Sequence, residues 1–265
     1  MKENILRKLI SENKPTIGTH VLTVWPGMTE VIGHAGTIDY VEFTATYTPY
    51  DLFALENFGR TIDLFENMSS MIKLDQEPRT YLAKKAVNSG IQNVLFADVR
   101  TVEDVKECVA SMKPDTPTGK GKAGVAMSRH MGYIYPNNTS LADSVKSAEE
   151  GVIALMIEKK TAVENLESLL SVPGVDMVQF GPGDYSINIG RPGDTNHPEI
   201  KEAELYTIQT SQKMNIRPRV EISTWEEAKP YLELGVKDFS LGVDLAIIHE
   251  YCKTEGQKLS NLLNS

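Results

Sequence analysis

A chain of 265 residues, 41% hydrophobic and 24% charged, is long enough for one large domain with a sizeable core. Its formal net charge of −9 argues against nucleic acid as a partner, because phosphate backbones require a basic face, but leaves room for a small anionic substrate. No apolar run approaches the roughly 20 residues that cross a membrane, and the opening MKENILRKLISENK lacks the apolar centre of a signal peptide, so a cytoplasmic protein without a membrane partner is expected.

Short apolar stretches alternate with amphipathic ones along the whole chain. Strands are predicted at 16–23, 39–46, 69–75, 93–98, 152–158, 175–181, 217–223 and 238–244. Between them, Val102, Val105, Val109 and Met112 form one helical stripe, and Val163, Leu166 and Leu170 another. Gly90, Gly235 and Pro173-Gly174 are read as helix stops. Eight β-then-α units predict an α/β fold, a parallel eight-stranded (β/α)₈ TIM barrel, as a single domain over residues 1–265. No GxGxxG or P-loop pattern follows any strand, which removes the usual reason to prefer an open doubly wound sheet. Residues 114–150, with PDTPTGKGKAG, YPNNTS and a predicted helix ADSVKSAEEG, form a long insertion after strand 4, expected at the catalytic face. His130 lies in it and is read as a solvated loop histidine, while Cys108 and Cys252 are read as buried thiols of a reducing compartment.

In such a barrel the carboxyl ends of the strands face the active site. Strand five ends in Glu158, and strand six runs into Gly181-Pro182-Gly183-Asp184. Neighbouring parallel strands lie about 4.8 Å apart, so the two carboxylates can converge on one point. Two carboxylates with open positions suit Mg²⁺ or Mn²⁺; an ion pair for Glu158 and a turn cap for Asp184 are the alternatives that spacing leaves open. The glycine turn either brings backbone amides to a ligand carboxylate or is only a tight loop.

The stretch Met156 to Gly190, MIEKKTAVENLESLLSVPGVDMVQFGPGDYSINIG, resembles the metal-dependent 2-keto-3-deoxy acid aldolases of the HpcH/HpaI family, with 4-hydroxy-2-oxo-heptanedioate aldolase as the type. The resemblance is densest there, and the order of segments matches across nearly the whole chain. It implies that Glu158 and Asp184 ligate Mg²⁺, Mn²⁺ or Co²⁺, that the ion holds pyruvate through its carboxylate and keto oxygen, and that Gly183 and Asp184 offer amides to the carboxylate. The implied reaction is cleavage of a 4-hydroxy-2-oxo acid to pyruvate and an aldehyde through a metal-stabilised enolate. A homo-oligomer, trimer or hexamer, is also implied, with the C-terminal helix 245–265 exchanged between subunits; Ile247, Ile248, Tyr251, Cys252 and Leu259 supply apolar surface for it.

Several positions depart from the family. Its second strand ends in a D-G-E-H motif whose histidine is the base, where this chain has Thr44-Ala45-Thr46-Tyr47 followed by Pro49. A phenol titrating near pH 10 is a poorer base than imidazole. The arginine that ends the family's third strand and contacts the keto acid corresponds to Lys73, with Arg79 as a rival, and the Arg-Gly after strand four to Lys120–Lys122. His20, inward if Gly18 and Leu22 are, is the candidate replacement base or else a satisfied core residue. Strand alternation sets Glu42, Thr44 and Thr46 opposite Val41 and Phe43; an inward Glu42 needs a partner, and Lys73 is the expected one. Arg219 and Glu221 line the site or form a rim ion pair. Besides aldol cleavage, the residues leave three readings: decarboxylation of an oxaloacetate-like acid, Schiff-base chemistry at Lys73, or a barrel that binds metal and keto acid without turnover.

Overall fold

The structure, a computed structural model, describes residues 2–125, 127, 129, 133 and 140–264. Eight parallel strands follow one another around a closed barrel: β1 (Thr16–Val21), β2 (Tyr40–Thr44), β3 (Ser69–Leu74), β4 (Asn93–Phe96), β5 (Ile153–Ile157), β6 (Met177–Phe180), β7 (Arg217–Ile222) and β8 (Asp238–Val243). β8 pairs back onto β1, Thr16 opposite Asp238, which completes the predicted (β/α)₈ architecture. Each observed strand lies inside its predicted segment, trimmed by at most two residues at either end.

The helices among the described residues are α1 (Ile5–Ser11), α2 (Pro26–Ala35), α3 (Leu52–Ile62), α4 (Arg79–Asn88), α5 (Val102–Met112), α6 (Leu141–Glu149), α7 (Lys160–Glu164), α8 (Leu166–Leu170), α9 (Pro182–Asn188), α10 (Pro198–Lys213), α11 (Ala228–Glu233) and α12 (Asp244–Leu263). Local chemistry fixes their ends. Thr101 and Asp104 form a reciprocal capping box at the start of α5, and Ser140 and Asp143 do the same for α6. Gly90 and Gly235 adopt φ of 96° and 81° just past α4 and α11, the left-handed stop that glycine accepts without steric cost. None of these helices is long and apolar enough to cross a membrane.

The period-2 alternation of the strands sorts the core into two layers. Val41, Phe43, Ile72, Leu74, Val94, Phe96, Leu155 and Val178 point outward and pack under the helices. Tyr40, Met71, Leu95, Ala154, Met156 and Met177 point inward and form a second cluster with Leu6 of α1. α1 is thereby a floor across the amino end of the barrel. Asn4 donates to Asn93 Oδ1 at 2.8 Å, and Arg7 clasps both oxygens of Asp176 at 2.6 and 2.7 Å. Complete burial of Leu6 adds about 1.5–3 kcal/mol to that attachment.

Two expectations change. The described part of 114–150 leaves from the carboxyl end of α5, where Lys113 Nζ donates to the Glu149 carbonyl, and Arg129 pairs with Asp63 just beyond α3. Helix carboxyl ends lie at the amino-terminal face of such a barrel, so these residues sit opposite the catalytic face. The helix predicted over ADSVKSAEEG is α6; His130 and residues 134–139 lie outside the described residues. Cys108 is buried, its thiol pushed up to about 12 by desolvation, but Cys252 is exposed on α12. Asp244 is the only buried residue described on α12, and Ile17, on the outer face of β1, is left 41% exposed.

Candidate active site

Glu158 directly follows β5 and is almost fully buried. Its Oε1 accepts the backbone N–H of Asp98 at 2.8 Å, while Oε2 accepts no hydrogen bond among the described residues. Room for that oxygen is made by Gly181: a Cβ there would stand 2.8 Å from Glu158 Cβ and 3.0 Å from Oε2. Burial pushes the Glu158 carboxyl above its ordinary range; the Lys73 ammonium opposes this and the Asp184 carboxylate adds to it. Asp184, in the first turn of α9, is held loosely, by Lys159 Nζ at 3.4 Å and by the Tyr47 hydroxyl at 3.2 Å. The same electrostatic neighbourhood thus contains both carboxylates. Among the described residues no three or more His, Cys, Asp or Glu side chains converge as a ready cage. A carboxylate pair, Glu158 buried and Asp184 half-buried, with an uncommitted oxygen fits a hard divalent cation that keeps its other positions for water and substrate oxygens.

Lys73, the inward residue near the end of β3, is buried beside this pair, with Nζ 5.1 Å from the centre of the Tyr47 ring. Burial alone would lower its pKa, but Glu158, then Tyr47, Glu42 and Glu221, outweigh that and hold it as an ammonium. A Schiff-base lysine needs the opposite shift, so the geometry disfavours that chemistry. Burial also raises the Tyr47 phenol, and Asp184 and Glu158 add to the effect against Lys73, leaving Tyr47 a hydrogen-bond donor.

Deeper in the barrel lies a second polar group. Glu42 is completely buried, as predicted from strand alternation, but its partner is Arg219 across the barrel rather than Lys73. Arg219 Nη1 stands 2.6 Å from Glu42 Oε2, its guanidinium 5.4 Å from the Tyr40 ring centre. That ring occupies the space a Cβ at Gly18 would need, 2.3 Å from Tyr40 Cζ. Desolvation raises the Glu42 pKa, yet Arg219, His20 and Lys73 outweigh it and bring the carboxyl down to about 2. Lys73 acts on Glu42 only through space because the guanidinium already occupies the carboxylate. His20 is inward, as expected; its Nε2 is 3.1 Å from Arg219 Nη2, 3.3 Å from Glu221 Oε1 and 3.9 Å from Glu42 Oε2. Glu221 also accepts from the Gln179 side chain.

Glu158, Asp184, Lys73 and Tyr47 are therefore brought together, with His20 on the adjoining wall. Gly183 faces open space, with nothing within 4 Å of where a Cβ would stand. Arg79 is not brought to the group. It begins α4, is fully buried, and lies 3.4 Å from Glu107 and 3.6 Å from Asp104 of α5, in the outer helical layer. A helix-initiating arginine six residues past Lys73 has already left the strand end. Arg219 was legible only in part: alternation sets Arg217, Arg219 and Glu221 on one face of β7, but not which strand supplies the counter-charge.

The sequence profile described as HpcH/HpaI aldolase/citrate lyase matches residues 56–249. The 5-keto-4-deoxy-D-glucarate aldolase of Klebsiella pneumoniae is 26% identical over 259 residues, covering 97% of this chain and 96% of its own. The hydroxypyruvate/pyruvate aldolase of Roseobacter denitrificans is 25% identical over 245 residues, 92% and 93% of the two chains. Among solved structures, an HpcH/HpaI aldolase/citrate lyase family protein from Burkholderia cenocepacia superposes with a TM-score of 0.88 at 20% identity, covering 97% of this chain and all of the other, and supports the barrel fold. By the extent of the profile match, this chain belongs to the HpcH/HpaI aldolase/citrate lyase family.

Proposed function

We propose that the protein is a divalent-metal-dependent carbon–carbon lyase that cleaves a 4-hydroxy-2-oxo acid to pyruvate and an aldehyde. The observation that carries this reading is the pairing of Glu158 and Asp184 at the ends of β5 and β6 with the Lys73 ammonium beside Glu158. A bound Mg²⁺, Mn²⁺ or Co²⁺ supplies Lewis-acid polarisation of the keto oxygen. Lys73 adds fixed positive charge where negative charge gathers as the bond breaks. Tyr47, in the position of the family histidine, donates a hydrogen bond, and the open backbone at Gly183 and Asp184 suits the substrate carboxylate. Both curated relatives described above are aldolases, one of a keto-deoxy sugar acid and one of pyruvate and hydroxypyruvate, which supports a 2-oxo acid and an aldehyde as the small-molecule partners.

The test is pyruvate release from a panel of 4-hydroxy-2-oxo acids, read through lactate dehydrogenase, with Mn²⁺ or Mg²⁺ present and after chelation. Absence of both release and exchange of pyruvate methyl protons into D₂O rejects the reading. One observation favours a second: Tyr47 and Lys73 are both held protonated, and His20 Nε2 lies against a guanidinium, so none of these three offers a free base to the carboxylate pair. Decarboxylation of an oxaloacetate-like acid needs no hydroxyl base, and CO₂ release from oxaloacetate distinguishes it.

We further propose a single barrel whose α12 is exchanged between copies in a homo-oligomer, trimer or hexamer. The exposed Ile247, Ile248 and Tyr251 on α12 and the uncovered Ile17 on the outer face of β1 support this.

A further inference from the structure

Three charged side chains surround the His20 imidazole: Arg219 and Glu221 from β7 and Glu42 from β2. Arg219 and Glu42 are both fully buried and paired, so the guanidinium stays where it is. A guanidinium has donors and no acceptor, and the 3.1 Å contact is a hydrogen bond only if Nε2 offers its lone pair. The imidazole proton then belongs on Nδ1. That atom has no partner among the described residues, and His20 forms part of the wall of a cavity that also includes Pro182 and Glu221. Glu221, 3.3 Å from His20 Nε2, is also among the carboxylates that act on Lys73 together with Glu158, which links this wall to the carboxylate pair.

We propose that His20 acts as a hydrogen-bond donor through Nδ1, and that Arg219, anchored by Glu42, is the positioning residue that fixes this tautomer. The chain thus meets the loss of the family histidine by offering a hydrogen bond to the oxygen of the substrate hydroxyl rather than by relocating the base. This assignment rests on the reading of the site as one for a 2-oxo acid bearing a hydroxyl group. It concerns where a proton sits, which is measured without turnover.

Long-range ¹H–¹⁵N spectra of the full protein carrying ¹⁵N-histidine, with His20 assigned by its loss in His20→Gln, report both ring nitrogens. Nδ1 protonated and Nε2 unprotonated at neutral pH is the expected result; a proton on Nε2 overturns the proposal. In the Glu42→Gln/Arg219→Met double variant, which leaves no lone buried charge, the Nε2–H form facing Glu221 gains population. A tautomer unchanged in that variant overturns the role of Arg219. In turnover, His20→Asn presents an amide N–H near the position of Nδ1, whereas His20→Gln reaches only toward Nε2. His20→Asn is expected to exceed His20→Gln by about tenfold or more, the rate equivalent of roughly one hydrogen bond. Equal loss in both variants is the signature of a base and rejects the donor role. Absent turnover in the unaltered protein counts against the aldolase reading alone, since the spectrum stands apart from it.

Discussion

Removing the Glu42 charge tests the account of the barrel interior most directly. Glu42→Gln keeps the shape of the side chain but leaves the Arg219 guanidinium buried without its counter-ion. Glu42 falls from an ordinary 4.5 to about 2 in the folded protein, which corresponds to roughly 3 kcal/mol of stabilisation of the charged form. Loss of one partner of a buried pair typically costs about 3–5 kcal/mol, so the two routes agree in size. Glu221 does not take over, because its side chain is 45% exposed and already accepts from Gln179. Urea unfolding followed by far-UV circular dichroism should therefore show a loss of about 3–5 kcal/mol at neutral pH. The Glu42→Gln/Arg219→Met double variant should regain most of it. The pH dependence follows from the lowered carboxyl: its contribution is present above about 4.5 and is lost as pH falls toward 2, so the acid destabilisation of Glu42→Gln should be shallower in that window. A single-variant loss below about 1 kcal/mol, or a double variant no more stable than the single, refutes the buried pair as the organiser of the lumen.

Glu158→Gln and Asp184→Asn should each weaken Mn²⁺ binding by more than the roughly 10- to 100-fold typical of losing an outer-shell partner; calorimetry with unchanged affinity in both rejects the carboxylate site. Arg79→Met should lower folding stability by about 1–3 kcal/mol, read by thermal melting, with Mn²⁺ affinity intact, because its partners lie on α5. Loss of metal binding on that substitution would return Arg79 to the site. Light scattering at micromolar concentration should report a trimer or hexamer that Ile247→Asp/Tyr251→Asp dissociates; a monomer before substitution rejects the exchanged helix.

The barrel was readable because its strands are short apolar runs separated by amphipathic helical stretches, and eight such units leave few other closures. The rim positions of Glu158 and Asp184 were readable for a related reason: Glu158 follows β5 directly and Asp184 comes just past β6, in the first turn of α9. Contacts across the barrel were not. Glu42 and Arg219 are 177 positions apart, and alternation says only that both point inward; choosing between Lys73 and Arg219 required the interior distances. Arg79 misled because a cation near a strand end looks like a substrate ligand until the start of α4 turns it outward. The side of the barrel taken by residues 114–150 was misjudged because strand 4 is followed at once by α5, which carries the chain back to the opposite end before the insertion begins.

The floor made by α1 has a consequence for traffic through the molecule. With Leu6 sealed against Met71, Met156 and Met177 beneath the polar layer, the described residues close the lumen at its amino end. Whatever enters between the strand ends cannot pass on through that floor. Under the proposed cleavage, the fragment gripped against the floor is the one that waits, so the depth at which each half of the substrate is held bears on the order in which the halves are released.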